Sequence, residues 1–271
     1  MSIFDFFSKK NKLPQGVTES AFECFRGELK IGGTEYRPEG ENLPVAIVSH
    51  GFMANQDTTR EYAKALASVG YCAYCFDFCG GSVMKNKSGG ETTSMSVLTE
   101  VLDLEAVIAY AKSLEYTSDK VLLMGCSQGG FVSALTAAKN PGIADKLILF
   151  YPALCIPDDA RKGRMMFAKF DPKNIPEIVN CGPMKLGRCY VADVVDMDPY
   201  KEISGYTGEV LLVHGDKDNI VDVGYGIKAI EIYKETAKKA KLHIIKGAGH
   251  GFKAKDDAEA VGLVKGFAEV K

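Results

Sequence analysis

Apolar and polar positions along this chain switch repeatedly between two periods. "VAIVSH" (45–50) is a continuous apolar, β-branched run closing on a histidine before glycine, the pattern of a buried strand. "TTREYAKALASVG" then spaces Tyr62, Ala65, Leu66 and Val69 at helical intervals and stops at Gly70. "YCAYCFDF" (71–78) predicts a second buried strand, leading into Gly80 and Gly81. The strongest helical pattern is "MSVLTEVLDLEAVIAYAKSL", apolar at 97, 98, 101, 104, 107, 108 and 111. "KVLLMG" predicts a strand, "GGFVSALTAAKN" a helix ended by Pro141, and "KLILFYP" another strand.

From residue 153 to about 206 the alternation breaks. Pro157, Pro172, Pro176, Pro183 and Pro199 punctuate a stretch rich in Met and Phe with no clear strand. Regularity returns with "GEVLLVHG" as a strand, "GYGIKAIEIYKETAKKA" as a helix, "KLHIIKGAGHGF" as strand and loop, and a last helix from about 256. Strands alternating with helices predict an α/β fold: a mainly parallel twisted sheet covered on both faces. "AFECFRG" and "ELKIGGTEYRP" predict an antiparallel hairpin at its edge. With no repeat and no flexible linker, residues 1–271 read as one domain, and 153–206 as a cap inserted into it.

Composition narrows the function classes. The 271 residues are 46% hydrophobic, enough for a sizeable core, and 33 Lys and Arg against 35 Asp and Glu give no basic face for nucleic acid. The eight cysteines show no paired CxxC spacing, and the four histidines no HExxH pattern, so no metal or cofactor is expected. Unpaired cysteines in apolar segments fit a reducing, cytoplasmic setting. "MSIFDFFSKKNKLP" does not read as a secretory signal, and no run reaches membrane-spanning length. Ile3, Phe4, Phe6 and Phe7 are expected to pack on the parent domain.

The chemistry concentrates in "VLLMGCSQGGF" (121–131). Gly125-Cys126-Ser127-Gln128-Gly129 matches G-x-S-x-G between a strand and a helix, the setting of a nucleophile elbow. The flanking glycines remove side chains that a turn this sharp would bring into collision. Ser127 is then the exposed nucleophile, and Cys126 a packing residue. A serine needs a base, and the base an orienting acid, in the chain order Ser, acid, His. His250, between glycines after the last strand, is placed to be the base; His243 lies inside a strand, and His50 and His214 close strands and hydrogen-bond their loops. The acid follows "VLLVHG": Asp216 and Asp218 both qualify by position, with Asp222 behind them. "HGDKDNIV" fits H-G-x-x-D-x-x-V, which selects Asp218 and leaves Asp216 a turn-forming role. Oxyanion donors are expected from the backbone N–H groups of Gln128 and Phe52.

These residues resemble the serine α/β-hydrolases, particularly the cinnamoyl (feruloyl) esterase branch. The matching pieces are "SHGFMAN", "FDFCGGS", "TSMSVLTEVLDLEAVI", "GCSQGG", "LLVHGDKDNIV" and "GAGHGF", spread from about residue 45 to the end. The resemblance implies a small cap between the sixth and seventh strands. It also implies that an acid and a tyrosine there contact the phenolic hydroxyl of a hydroxycinnamate; Asp159 and Tyr190 match those positions. The turn after the fourth strand, "FDFCGGSVMKN", departs from the aspartate-glycine-rich form of the family.

The leading expectation is a serine carboxylesterase that acts through an acyl-enzyme on a small-molecule ester, without cofactor. Met165, Met166, Phe167, Phe170, Met184 and Tyr190 offer an apolar lining for an aromatic acyl group. Lipase-like, thioesterase or peptidase activity on the same triad is the alternative, and a non-catalytic hydrolase-fold binding protein a third.

Overall fold

A computed structural model describes residues 12–84 and 86–269. The apolar N-terminal positions Ile3, Phe4, Phe6 and Phe7 lie outside them. In chain order the main elements are β1 (Val17–Arg26), β2 (Leu29–Pro38), β3 (Leu43–Ser49), α1 (Arg60–Ala67), β4 (Cys72–Phe76), α2 (Val97–Lys112), β5 (Thr117–Cys126), α3 (Gln128–Lys139) and β6 (Lys146–Phe150). A stretch of short elements follows: α4 (Ile156–Arg161), β7 (Arg164–Met165), β8 (Ala168–Lys169), β9 (Ile178–Cys181), β10 (Met184–Gly187), α5 (Arg188–Ala192) and α6 (Pro199–Glu202). The chain then returns to β11 (Glu209–Gly215), α7 (Val223–Thr236), β12 (Lys239–Ile245) and α8 (Ala254–Ala268).

Eight strands form the main sheet, in the order β1-β2-β4-β3-β5-β6-β11-β12. β1 and β2 make the expected antiparallel edge hairpin, and from β4 onward every neighbouring pair is parallel. The continuous apolar runs follow from burial on both faces. Along β3, Val45 and Ile47 face one core with α2, α3 and α7, while Ala46 and Val48 face the other with α1 and α8. β5 divides the same way, Val121 and Leu123 against Leu122 and Met124.

α2 begins at a capping box: the Ser96 side chain accepts from the Thr99 N–H while Thr99 bonds back to Ser96. Val97, Val101, Leu104, Val107, Ile108 and Ala111 are buried as their spacing predicts, and so are Glu100 and Asp103.

Two differences from the sequence pattern have local causes. Lys239 and Ala240 leave the helical run, because Ala237 is extended and both residues pair with Glu209 and Val210 of β11. The stretch between β6 and β11 contains two antiparallel hairpins, β7–β8 and β9–β10, whose strands of two and four residues are too short for alternation to register. This stretch is fastened to the turn before α2. Thr92 Oγ1 donates to the Lys185 carbonyl at 2.5 Å and Ser96 Oγ to Asp193 at 2.5 Å. A Cβ on Gly187 would stand 1.9 Å from the Thr93 carbonyl oxygen, so only glycine permits that approach. Among the described residues no helix is long and apolar enough to cross a membrane.

Candidate active site

The carboxyl ends of β3, β5, β11 and β12 place four loops together, the region where open parallel sheets present ligand-binding groups. Ser127 follows β5 with φ 54° and ψ −118°, a conformation costly for any residue with a side chain. Neighbouring backbone holds it there. The Ser127 N–H donates to the Phe150 carbonyl at 2.9 Å, and the Ser127 carbonyl accepts from Phe131 and Ala153 at 3.1 and 2.9 Å. The glycines of the elbow are there for space: a Cβ on Gly125 would lie 2.1 Å from the Gly129 carbonyl oxygen, and one on Gly129 2.3 Å from that of His50.

His250 reaches across from the loop after β12. Its Nε2 is 3.0 Å from Ser127 Oγ and its Nδ1 2.8 Å from Asp218 Oδ2. The Tyr151 ring packs on the imidazole with centroids 4.7 Å apart, which limits rotation of the His250 ring.

Asp218 is enclosed by donors. The N–H groups of Ile220 and Val221 give to Oδ1 at 2.9 and 3.0 Å, and His214 Nε2 approaches Oδ2 at 3.3 Å. Burial by itself would raise the pKa of this carboxyl. The bonds from His214, His250, Val221 and Ile220 outweigh it and hold Asp218 well below the usual carboxylate range. Asp216 points elsewhere, accepting from the Gly247 N–H at 2.6 Å and so tying the β11 and β12 loops together.

The other histidines have separate partners. His50 Nε2 accepts from the Phe78 N–H at 3.1 Å, which leaves Nδ1 to donate to the Gly51 carbonyl at 2.8 Å. His243 meets Glu259 at 2.7 Å. Cys126 is buried, and burial pushes its thiol up to about 12, so little thiolate forms near neutral pH.

The two expected oxyanion donors flank the serine. Gln128 is the first residue of α3, so its N–H has no acceptor within the helix. Among the described residues neither Gln128 nor Phe52 gives its N–H to a backbone carbonyl. The loop carrying Phe52 passes close, since a Cβ on Gly51 would sit 3.8 Å from Ser127 Oγ.

Ser127 and His250 open into a cavity of about 700 Å³, whose apolar wall includes Phe52, Met53, Tyr151, Met166 and Ile220. Asp159 and Tyr190 do not line it. Asp159 is half-buried beside Cys155, with burial raising its carboxyl above the ordinary range. Tyr190 is 1% exposed, and its hydroxyl donates to Gln128 Oε1. Of the apolar residues expected to line an acyl slot, Met166 lines the cavity, Met165 and Met184 are core, and Phe167 is 73% exposed.

The sequence reading missed Glu100, which lies beneath Gln128. Its signal is positional, because it falls within the buried stripe between Val97, Val101 and Leu104. His214 bonds its own loop as expected, its Nε2 donating to the Val221 carbonyl at 3.0 Å, with Asp218 Oδ2 3.3 Å away.

Residues 40–187 match the sequence profile of the family described as serine aminopeptidase, S33, which is more than half of the chain. The chain is a serine α/β-hydrolase. Residues 188–268 of this hydrolase match the prolyl oligopeptidase family. A structure of Est1E from Butyrivibrio proteoclasticus with ferulic acid bound is similar, with a TM-score of 0.82 and 28% identity, covering 91% of this chain and 97% of that one. The monoglyceride lipase of Homo sapiens is 24% identical over 79% of this chain and 78% of its own. The monoacylglycerol lipase of Mycolicibacterium smegmatis is 22% identical over 73% and 78%.

Proposed function

We propose that this hydrolase is a carboxylesterase that works through an acyl-enzyme on Ser127. The observation that carries this reading is the continuous contact of Asp218, His250 and Ser127, at 2.8 and 3.0 Å, on an elbow facing a cavity. Ser127 Oγ attacks the ester carbonyl, and His250 Nε2 takes the hydroxyl proton. Asp218 accepts from Nδ1, fixing the tautomer and balancing the imidazolium charge. The carbonyl oxygen, now an anion, receives the N–H groups of Phe52 and Gln128. His250 then protonates the leaving alcohol. Water, activated by the same histidine, hydrolyses the acyl-enzyme and restores Ser127.

The finer reading is an aromatic, hydroxycinnamoyl acyl group, with the segment between β6 and β11 acting as a cap that selects it. The likeness to the ferulic-acid-bound Est1E and the cavity wall of Phe52, Met53, Tyr151 and Met166 support it. Asp159 and Tyr190 do not line this cavity, so the reading rests on its apolar wall.

A fluorophosphonate is expected to label the wild-type protein stoichiometrically at Ser127, as read by mass spectrometry of the tryptic peptide. Across methyl ferulate, p-nitrophenyl acyl esters, a monoacylglycerol, an acyl-thioester and an aminoacyl amide, kcat/KM should be highest for aromatic acyl esters. A monoacylglycerol or amide ahead of every aromatic ester would replace the finer reading with lipase or peptidase action. Absence of labelling and of turnover on the whole panel would overturn the esterase itself.

A further inference from the structure

Beneath the nucleophile elbow lies a buried chain of three polar side chains that the reaction just described does not use. Tyr190, on α5, donates its hydroxyl to Gln128 Oε1. Gln128, at the start of α3, donates Nε2 to Glu100 Oε2 at 2.7 Å. Glu100 belongs to α2. All three residues are 1% exposed, and burial pushes the Glu100 carboxyl well above its ordinary value, against the bond from Gln128. A buried carboxyl among Val97, Val101 and Leu104 costs stability that an apolar residue there would not. The three bonded groups belong to three separate elements that meet at one residue.

That residue is the one whose backbone N–H serves as an oxyanion donor. A primary amide gripped at both ends has little freedom to rotate. Its Cβ, and with it the peptide plane between Ser127 and Gln128, is held from both sides. An oxyanion donor is effective only when it is aimed before the charge develops, and displacements on the order of 1 Å can cost about a hundred-fold in rate. The aromatic side chain of Phe52, on the other donor loop, packs on the Tyr190 ring with centroids 5.8 Å apart. Tyr190 therefore touches both donor segments, one through its hydroxyl and one through its ring.

We infer that Glu100 and Tyr190 are positioning residues for the oxyanion hole, acting through the side chain of Gln128 and tying the segment between β6 and β11 to the reaction centre. This inference rests on the esterase reading and on Gln128 as a donor in it.

The test uses the full chain with Glu100→Leu, Glu100→Gln and Tyr190→Phe. Two quantities are measured: kcat and KM on p-nitrophenyl acetate, and Ki for an aryl trifluoromethyl ketone. Ser127 Oγ adds to the ketone carbon while His250 takes the proton, leaving an anionic hemiketal oxygen in the hole, so Ki reads donor placement without turnover. Glu100→Leu should lower kcat roughly ten- to a hundred-fold and raise Ki by a similar factor, with KM nearly constant. Glu100→Gln keeps an oxygen for Gln128 Nε2 and should stay close to wild type. Tyr190→Phe keeps the ring and should lower kcat and raise Ki, each roughly three- to ten-fold. Wild-type kcat and Ki in a folded Glu100→Leu protein would overturn the inference, as would an equal loss in Glu100→Gln. Should Glu100→Leu fail to fold, wild-type values in Tyr190→Phe would overturn it. Turnover that persists in Ser127→Ala would instead remove the esterase reading on which the inference stands.

Discussion

Ser127→Ala is expected to lower kcat on p-nitrophenyl acetate by roughly four to six orders of magnitude and to abolish fluorophosphonate labelling. The size of the effect follows from the chemistry. On the proposed mechanism, losing Oγ removes the acyl-enzyme, and what remains is the stabilisation that the oxyanion donors give to direct attack by water. KM should change little, because alanine leaves the cavity wall intact. Cys126→Ala is the control: its thiol is buried, with a pKa near 12, so the variant should keep most of the wild-type kcat. The backbone carbonyl and N–H of residue 127 hold the elbow, and neither substitution removes them. Turnover surviving in Ser127→Ala while Cys126→Ala is inactive would move the nucleophile by one residue.

Asp218→Asn is the second large loss, expected at roughly ten-thousand-fold in kcat. The carboxylate takes N–H donors on both oxygens, from His250 on one, with His214 3.3 Å away, and from Ile220 and Val221 on the other. An asparagine must turn its own NH2 toward one of those pairs. Either the loop opens, or His250 adopts the tautomer that leaves Nε2 protonated and unable to accept from Ser127. Asp216→Asn should cost far less, since an amide oxygen can still accept from the Gly247 N–H. Comparing kcat for the two variants decides between the aspartates, and an equal or larger loss at Asp216 would reverse the assignment. The depressed pKa of Asp218 also has a thermodynamic sign. Its folded-state pKa lies below the unfolded value, so its contribution to stability is complete above the unfolded carboxylate range and is lost as pH falls toward the folded pKa.

Much of this arrangement is legible in the residue pattern because each piece is local. The central strands of the parallel sheet are buried on both faces, so "VAIV" and "VLLM" read as unbroken apolar runs. The elbow is a pentapeptide whose glycines are required by contacts as short as 2.1 Å. Asp218 and His250 each follow a recognisable strand. What stays hidden is what depends on the third dimension. Glu100 falls on the apolar stripe of α2, but nothing in the residue pattern pairs it with Gln128 of α3. Tyr190 sits where the resemblance implies a substrate contact, but its hydroxyl is already bonded to Gln128. The hairpins between β6 and β11 escape detection because strands of two residues carry no period. Ala237 ends α7 through backbone geometry alone, in a sequence that would continue a helix.

The conformation of residue 127 bears on how such a protein persists under mutation. A side chain held at φ 54° and ψ −118° costs on the order of 1–3 kcal/mol. Glycine would relieve most of that cost, less the roughly 0.5–1 kcal/mol of extra chain entropy it brings. Stability alone would therefore reward drift from serine to glycine at this one position. A lineage that kept the scaffold merely to hold a ligand would have an easy route to a sturdier protein with no hydroxyl at the elbow. This chain has not taken that route, and serine stands at the position where the fold would favour glycine.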